Sequence, residues 1–248
     1  MGIHIRSAII AGTGLGSHIQ QMNGQTVFLP TPHGLVKGIV VQHDGTKILC
    51  LRRHSAGHKV PPHRVNYLAV GAALKAQGVQ ACLASAAVGC LNPEWQVGEF
   101  VMCEDFIDLS ARKITTFDQS VEHRDFSHPF SERLNQTLRS EAQKSGLTVQ
   151  AGGIYANLNG PRYETPQEVR AAGILGANLV GMTAGSEAIV MKELNVPYAC
   201  VCVVTNAAAG MQAASLEHLD VVSVMERKGK DLLDLLLKTA AGLASSCT

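Results

Sequence analysis

The sequence predicts an α/β fold, a mixed or mostly parallel sheet covered by helices, as one domain over residues 1–248. Three observations carry that expectation. Short, nearly continuous apolar runs alternate with longer helical patterns, as strands buried on both faces do between crossover helices. Hydrophobic residues make up 46% of the chain and charged residues 17%, enough for a sizeable core and too apolar for long disorder. No internal repeat, low-complexity segment or linker divides the chain.

The elements follow in order. Ser7–Ala11, Lys47–Leu51, Val79–Ala84, Phe100–Phe106, Val149–Tyr155, Asn178–Met182 and Tyr198–Val204 read as strands. Val65–Gln77, Pro129–Lys144, Pro166–Leu175 and Ser186–Leu194 read as helices, and a long amphipathic helix runs from about Leu216 to the C-terminus. Thr165 is placed as an N-cap, with Pro166 at the first helical position and Glu168 closing a capping box. Thr115–Pro129 lacks periodicity and is rich in charge and histidine, so it reads as a long surface loop.

Bulk properties exclude several classes. The net charge of +1, from 21 basic and 20 acidic residues, gives no footprint for nucleic acid. Seven cysteines without a CxxC pair argue against both a disulfide framework and a zinc ribbon. No apolar stretch reaches the roughly 18 residues needed to span a bilayer. Glycines interrupt the apolar N-terminal run, which makes a poor signal peptide. A cytoplasmic protein without membrane partner, metal or organic cofactor is expected.

Several segments carry chemistry. Gly12-Thr13-Gly14-Leu15-Gly16 follows the first strand, where backbone amides and the Thr13 hydroxyl can cradle an anion. The spacing is GxGxG, not the dinucleotide fingerprint GxGxxG, and no clear helix follows it. A plain tight turn is the bland alternative. Arg52-Arg53-His54 ends a strand, with His58 and His63 beyond. Arginine can grip phosphate with two N–H groups and a neighbouring histidine can add a donor, although a solvated strand end would look the same. No acidic residue lies among these histidines, which speaks against a metal. Ser85-Ala86-Ala87-Val88-Gly89 follows another strand, and its small residues allow a ligand close to the backbone. Gly160-Pro161-Arg162-Tyr163-Glu164-Thr165 sets an aromatic face beside a carboxylate, which suits a flat heterocycle with N–H donors. Gly181-Met182-Thr183 and Thr205-Asn206-Ala207 each close a strand.

In this order GTGLG, RRHSAGH with PPHRVNY, AAVGCLNPEWQVGE, FSHPF, NGPRYET, GMTAGSEA and TNAAAG resemble the trimeric purine nucleoside phosphorylase family, in its methylthioadenosine and methylthioinosine branch. The resemblance runs from Ala8 to the C-terminal helix. It implies one α/β domain with a twisted mixed sheet partly closed into a barrel, a homotrimer, and inorganic phosphate as co-substrate. It assigns phosphate binding to Thr13, Arg53, His54, Ala86, Ala87 and Thr183, the ribose to Met182, and the purine to Tyr163, Glu164 and Asn206. His123 matches a position that this branch inserts into a neighbouring subunit's site. Two departures stand out. Ala86 replaces the usual threonine or asparagine beside phosphate, and Asn206 and Ala208 replace the aspartates of methylthioadenosine phosphorylases, with Glu164 where those carry serine.

The implied reaction is phosphorolysis of a 5′-methylthio purine nucleoside, methylthioinosine before methylthioadenosine. Arg53 and His54 would pin the phosphate below C1′, and Asn206 would donate to N7 of the departing base. Leu216, with Leu219 one turn on, would line the 5′ end with apolar surface; a small shift of register would bring in His218 instead. An inosine or guanosine phosphorylase, a water-using nucleosidase and an inactive nucleoside-binding regulator are the rivals. A nicotinamide-dependent dehydrogenase fits poorly, because the glycine spacing is wrong.

Overall fold

The structure, a computed structural model, describes residues 5–55, 57, 59–212 and 218–245. Nine strands form one sheet: β1 Ser7–Ala11, β2 Gln25–Thr31, β3 Gly34–His43, β4 Thr46–Arg52, β5 Ala81–Cys90, β6 Phe100–Asp108, β7 Val149–Asn157, β8 Leu179–Gly181 and β9 Tyr198–Ala207. Six α-helices accompany them: α1 Leu15–Gln21, α2 Tyr67–Ala76, α3 Glu132–Lys144, α4 Pro166–Ile174, α5 Ala184–Glu193 and α6 His218–Ser245.

The strand order is β2-β3-β4-β1-β5-β8-β7-β6-β9, and a further β5–β9 pairing closes the last five strands into a barrel. The pairing is mixed. β1 lies parallel to β4 and β5, and β5 is parallel to β9, whereas β8 meets β5 and β6 meets β9 in the antiparallel sense. The α/β class and the partly closed mixed sheet are as the sequence and its resemblance imply.

One strand determines where the molecule opens. β5 pairs with β1 from Ala81 to Ala84, then with β8 only from Gly89 to Cys90. Along that edge Ser85–Val88 have no strand partner, while the opposite edge pairs with β9 from Cys82 to Cys90, with an irregularity at Val88/Gly89. The segment expected to follow this strand, Ser85–Gly89, thus lies within it. A run of alanines looks like a strand's end in sequence, yet it fits the crowded barrel interior.

Three elements escaped the sequence reading. The β2–β3 hairpin has a largely exposed β2 that includes Pro30, and its mixed polarity hides the strand period. Contrary to expectation, a helix does follow the glycine turn. α1 buries only Leu15 and Ile19, too little apolar surface to register as a helical period. The third is a 3-10 turn at Pro62–Arg64. At α4 the Thr165 capping box with Glu168 forms as expected.

Two large apolar clusters flank the sheet. One joins Ile9, Leu83 and Val201 of the strands to α1, α3 and the apolar face of α6, and the other packs α2 and α5 against Ile10, Ala84 and Tyr198. The six described cysteines are buried and unpaired. Among the described residues, no helix is long and apolar enough to cross a membrane. Leu235 is fully buried on α6. Leu235→Ala should lower unfolding free energy by about 2–5 kcal/mol through lost transfer energy and a residual cavity. Urea denaturation checks this, and a loss below 1 kcal/mol would mean that α6 is not a core element.

Candidate active site

A cavity of about 370 Å³ opens beside the unpaired edge of β5. Its lining includes Thr13, Arg53, His54, Ala86, Ala87 and Thr183, the six residues that the resemblance assigns to an anion. The glycine turn after β1 packs against the guanidinium. A Cβ at Gly12 would lie 2.6 Å from both Arg53 Nη1 and the Ser85 carbonyl oxygen, so only glycine fits. The Gly12 amide donates to Ser85 Oγ at 3.0 Å, which ties the turn to β5.

Arg53 is buried with its carboxylate partner. Its Nε and Nη2 donate to Glu187 Oε1 and Oε2 at 2.6 and 2.8 Å, and its Nη1 donates to the Ser85 carbonyl at 2.8 Å. The Tyr198 hydroxyl donates to Glu187 Oε2 at 2.6 Å. Burial works against the charge on Arg53, but Glu187 outweighs it and holds the guanidinium well above its ordinary range. Three of the five N–H groups are thus engaged within the protein, and two remain for an anion. The side-on fork expected to face phosphate faces Glu187 instead.

His54 Nδ1 lies 2.8 Å from the Val60 carbonyl, which can only accept, so the ring proton sits on Nδ1. His54 can therefore donate from Nε2 only as an imidazolium. In the neutral form Nε2 can only accept. Thr183 precedes α5, yet its hydroxyl does not cap that helix. The Tyr155 hydroxyl accepts from the Thr183 and Ala184 amides at 3.1 and 3.4 Å, so these first α5 donors are already engaged.

Tyr163, Glu164, Met182 and Asn206 line the same cavity. Burial raises the Glu164 carboxyl above its usual range. The loop carrying Tyr163 and Glu164 is anchored by Arg162, which donates to both Glu168 oxygens at 2.7 Å and helps push that carboxyl down to about 2. Gly160 has φ 65° and its Cβ would run into Met182 Sδ, so glycine is needed where this loop passes Met182. Asn206 Nδ2 donates to the Ala207 carbonyl at 2.8 Å, and its Oδ1 lies 2.9 Å from the Thr205 hydroxyl. A carbonyl cannot donate, so this pairing orients the amide and leaves Nδ2 a second N–H.

The third wall differs from expectation. Leu219 is 74% exposed and does not line the cavity; from α6 it is His218 and Val221 that do. Residues 218 and 221 share one face of the helix, and 219 is turned about 100° from 218. Leu216 and His58 lie outside the described residues. His123 is exposed in the loop 109–131 and does not line the cavity of its own chain. Sequence reasoning missed Glu187, which sat unremarked in a helix, and Lys59, Pro61 and Pro62, which also line the cavity. Only a long-range pairing with Arg53 marks Glu187, and no local pattern shows it. Among the described residues, no group of three or more histidine, cysteine, aspartate or glutamate side chains could hold a metal ion.

Residues 7–241 match the family model described as the phosphorylase superfamily. The chain belongs to that superfamily. It is 38% identical to the 6-oxopurine nucleoside phosphorylase of Pyrococcus furiosus, covering 94% of this chain and 91% of that protein. It is 39% identical to the "probable S-methyl-5′-thioinosine phosphorylase" of Methanopyrus kandleri, covering 92% and 89%. Among solved structures, the methylthioadenosine phosphorylase of Schistosoma mansoni in complex with adenine superposes with a TM-score of 0.90 at 25% identity, over 97% of this chain and 92% of that one.

The buried pair has a measurable signature. Either Arg53→Ala or Glu187→Ala strands a buried charge and should cost about 3–5 kcal/mol of stability. The double replacement Arg53→Met with Glu187→Leu should regain most of it. Chemical denaturation of the three variants checks the coupling, and additive losses would show that the two side chains do not act as a pair.

Proposed function

We propose that this enzyme, a pentosyltransferase of the nucleoside phosphorylase family, cleaves the N-glycosidic bond of a 6-oxopurine nucleoside with inorganic phosphate. The products are the free purine and a pentose 1-phosphate. One observation carries the reading: a single cavity is lined both by Arg53, His54 and Thr183, groups suited to an anion, and by the buried carboxylate of Glu164 and the half-buried amide of Asn206. The bond between C1′ and N9 breaks as a phosphate oxygen approaches C1′, so the sugar gains positive and the purine negative charge. Phosphate held by Arg53 would face the first, and the second N–H of Asn206 would donate to N7 to relieve the second. Binding and electrostatics suffice, without a covalent intermediate or organic cofactor.

The base preference follows from matching donors to acceptors. Hypoxanthine offers an N1–H donor and an O6 acceptor, whereas adenine has a lone pair at N1 and a 6-amino donor. An ionised Glu164 accepts from N1–H and would face the lone pair of adenine. Sites built on such matching can discriminate by as much as about 10⁴–10⁵-fold. Base release should therefore require phosphate, and methylthioinosine should be cleaved with higher kcat/KM than methylthioadenosine. Equal rates in phosphate-free buffer would turn the reading into a hydrolase, and a methylthioadenosine preference would reject the role of Glu164.

At the sugar end two readings each have an observation. Pro61, Pro62 and Val221 offer apolar surface for a 5′-methylthio group, and His218 offers a ring nitrogen for a 5′-hydroxyl. With Leu219 turned outward, we read the pocket as accepting both, with methylthioinosine and inosine as competing substrates. An unpartnered buried hydroxyl costs roughly 1–3 kcal/mol. His218→Leu should accordingly raise the methylthioinosine-to-inosine ratio of kcat/KM by about tenfold to a hundredfold. An unchanged ratio would remove His218 from the sugar site.

We further infer that the exposed His123 enters the site of a neighbouring subunit in a homotrimer. Light scattering showing a fully active monomer would exclude this.

A further inference from the structure

The walls of the cavity come from separate parts of the chain, and one side chain outside it joins three of them. Arg112 lies half-buried four residues past the end of β6, at the start of the loop 109–131. Its Nη1 donates to the Met182 carbonyl at 2.9 Å, to Ser186 Oγ at 2.8 Å and to the Tyr67 hydroxyl at 3.2 Å. Its Nη2 donates to the Leu158 carbonyl at 3.2 Å and to the Asn159 carbonyl, and its Nε donates to Asn159 Oδ1 at 2.9 Å. The guanidinium also sits over the Tyr67 ring, 5.6 Å from its centroid. Tyr67 in turn donates its hydroxyl proton to the Pro62 carbonyl at 2.8 Å.

Five of the six contacts lead to the nucleoside half, and the sixth, Ser186, lies in the first turn of α5. Met182 is the sugar floor, Leu158 and Asn159 begin the loop that carries Tyr163 and Glu164, and Pro62 lines the cavity as Val221 and His218 do. None of the six acceptor atoms belongs to Thr13, Arg53, His54, Ala86, Ala87 or Thr183, although the Met182 carbonyl is bonded to the Thr183 nitrogen and Ser186 precedes Glu187. All six are neutral, so Arg112 is not consumed in an ion pair. Its planar fork is used as a spacer between three backbone segments, which an ammonium group with three donors on one atom cannot reproduce.

We propose that Arg112 is a positioning residue that sets the nucleoside half of the site independently of the phosphate half. The inference rests on the phosphorolysis reading, because it treats Met182, Tyr163 and Glu164 as nucleoside contacts. A general structural arginine would affect both substrates alike, whereas this one should separate them.

The test is steady-state kinetics with both substrates varied, on wild type, Arg112→Lys and Tyr67→Phe. Arg112→Lys should raise the KM for inosine or methylthioinosine at least tenfold and leave the KM for phosphate within twofold. Tyr67→Phe removes only the link to Pro62 and should raise nucleoside KM about threefold, again with phosphate KM unchanged. It serves as the decisive variant if the lysine protein does not fold. Equal increases in both KM values, or an unchanged nucleoside KM in a folded variant, would overturn the proposal. The underlying reading fails separately: wild-type enzyme releasing purine at the same rate without phosphate would refute phosphorolysis while the nucleoside KM of each variant still decides the role of Arg112.

Discussion

The divided edge of β5 is the constraint on which the rest of the structure depends. A strand inside a closed barrel normally has both edges paired, and an unpaired buried backbone group is costly. Here Ser85–Val88 lie beyond β1 and before β8, with no strand on that side. Their polar groups are used otherwise. The Ser85 carbonyl accepts from Arg53, and the Val88 carbonyl lies 3.1 Å from the Thr205 hydroxyl. The gap is the mouth of a cavity, and the residues lining it there are small. Ala86 packs into the cluster on one face of the sheet and Ala87 against the cluster on the other, and neither puts a long side chain between the cavity and the main chain.

Charge is managed by the same region. An isolated guanidinium at the base of a closed sheet would be prohibitively desolvated, and Glu187 makes it tolerable. The arrangement has a chemical consequence. The Arg53–Glu187 pair is neutral as a whole, so it presents directed N–H groups more than net positive charge. On the proposed reading, a phosphate dianion placed there would be oriented without being held so strongly that its attack on C1′ is penalised. This is the sense in which catalysis requires more stabilisation in the transition state than in the ground state.

Much of this was legible in sequence where the signal is local. The buried strands announced themselves as continuous apolar runs, and Thr165, Pro166 and Glu168 spelled out the start of α4. Residues that line the cavity, Thr13, Arg53, Glu164 and Asn206 among them, were singled out because glycine turns and strand ends have compositional marks. What could not be read depends on distance along the chain. Glu187 meets Arg53 across 134 residues and Arg112 reaches Met182 across 70, and neither pairing leaves a trace in spacing. The face of α6 failed for a different reason. The sequence marks no capping box at the start of this helix, so its phase had no fixed starting point, and an error of one residue exchanges Leu219 for His218.

The two halves of the cavity are also built from different materials. Arg53 follows the end of β4, Ser85 lies in the middle of β5 and Glu187 sits on the buried helix α5, and the hydrogen bonds among them are buried. The segments around Tyr163, Met182 and Pro62 are loops or strand termini, held in place largely by polar contacts to Arg112 and by the Arg162–Glu168 pair. Loops tolerate substitution better than core strands, because fewer packed neighbours must adjust. On the proposed reading, a phosphate site locked into the sheet beside a nucleoside site hung on loops would allow the base and sugar substituent to change while the attacking group stays the same. Proteins similar to this chain bear names for 6-oxopurine nucleosides, methylthioinosine and methylthioadenosine, as that division of labour leads one to expect.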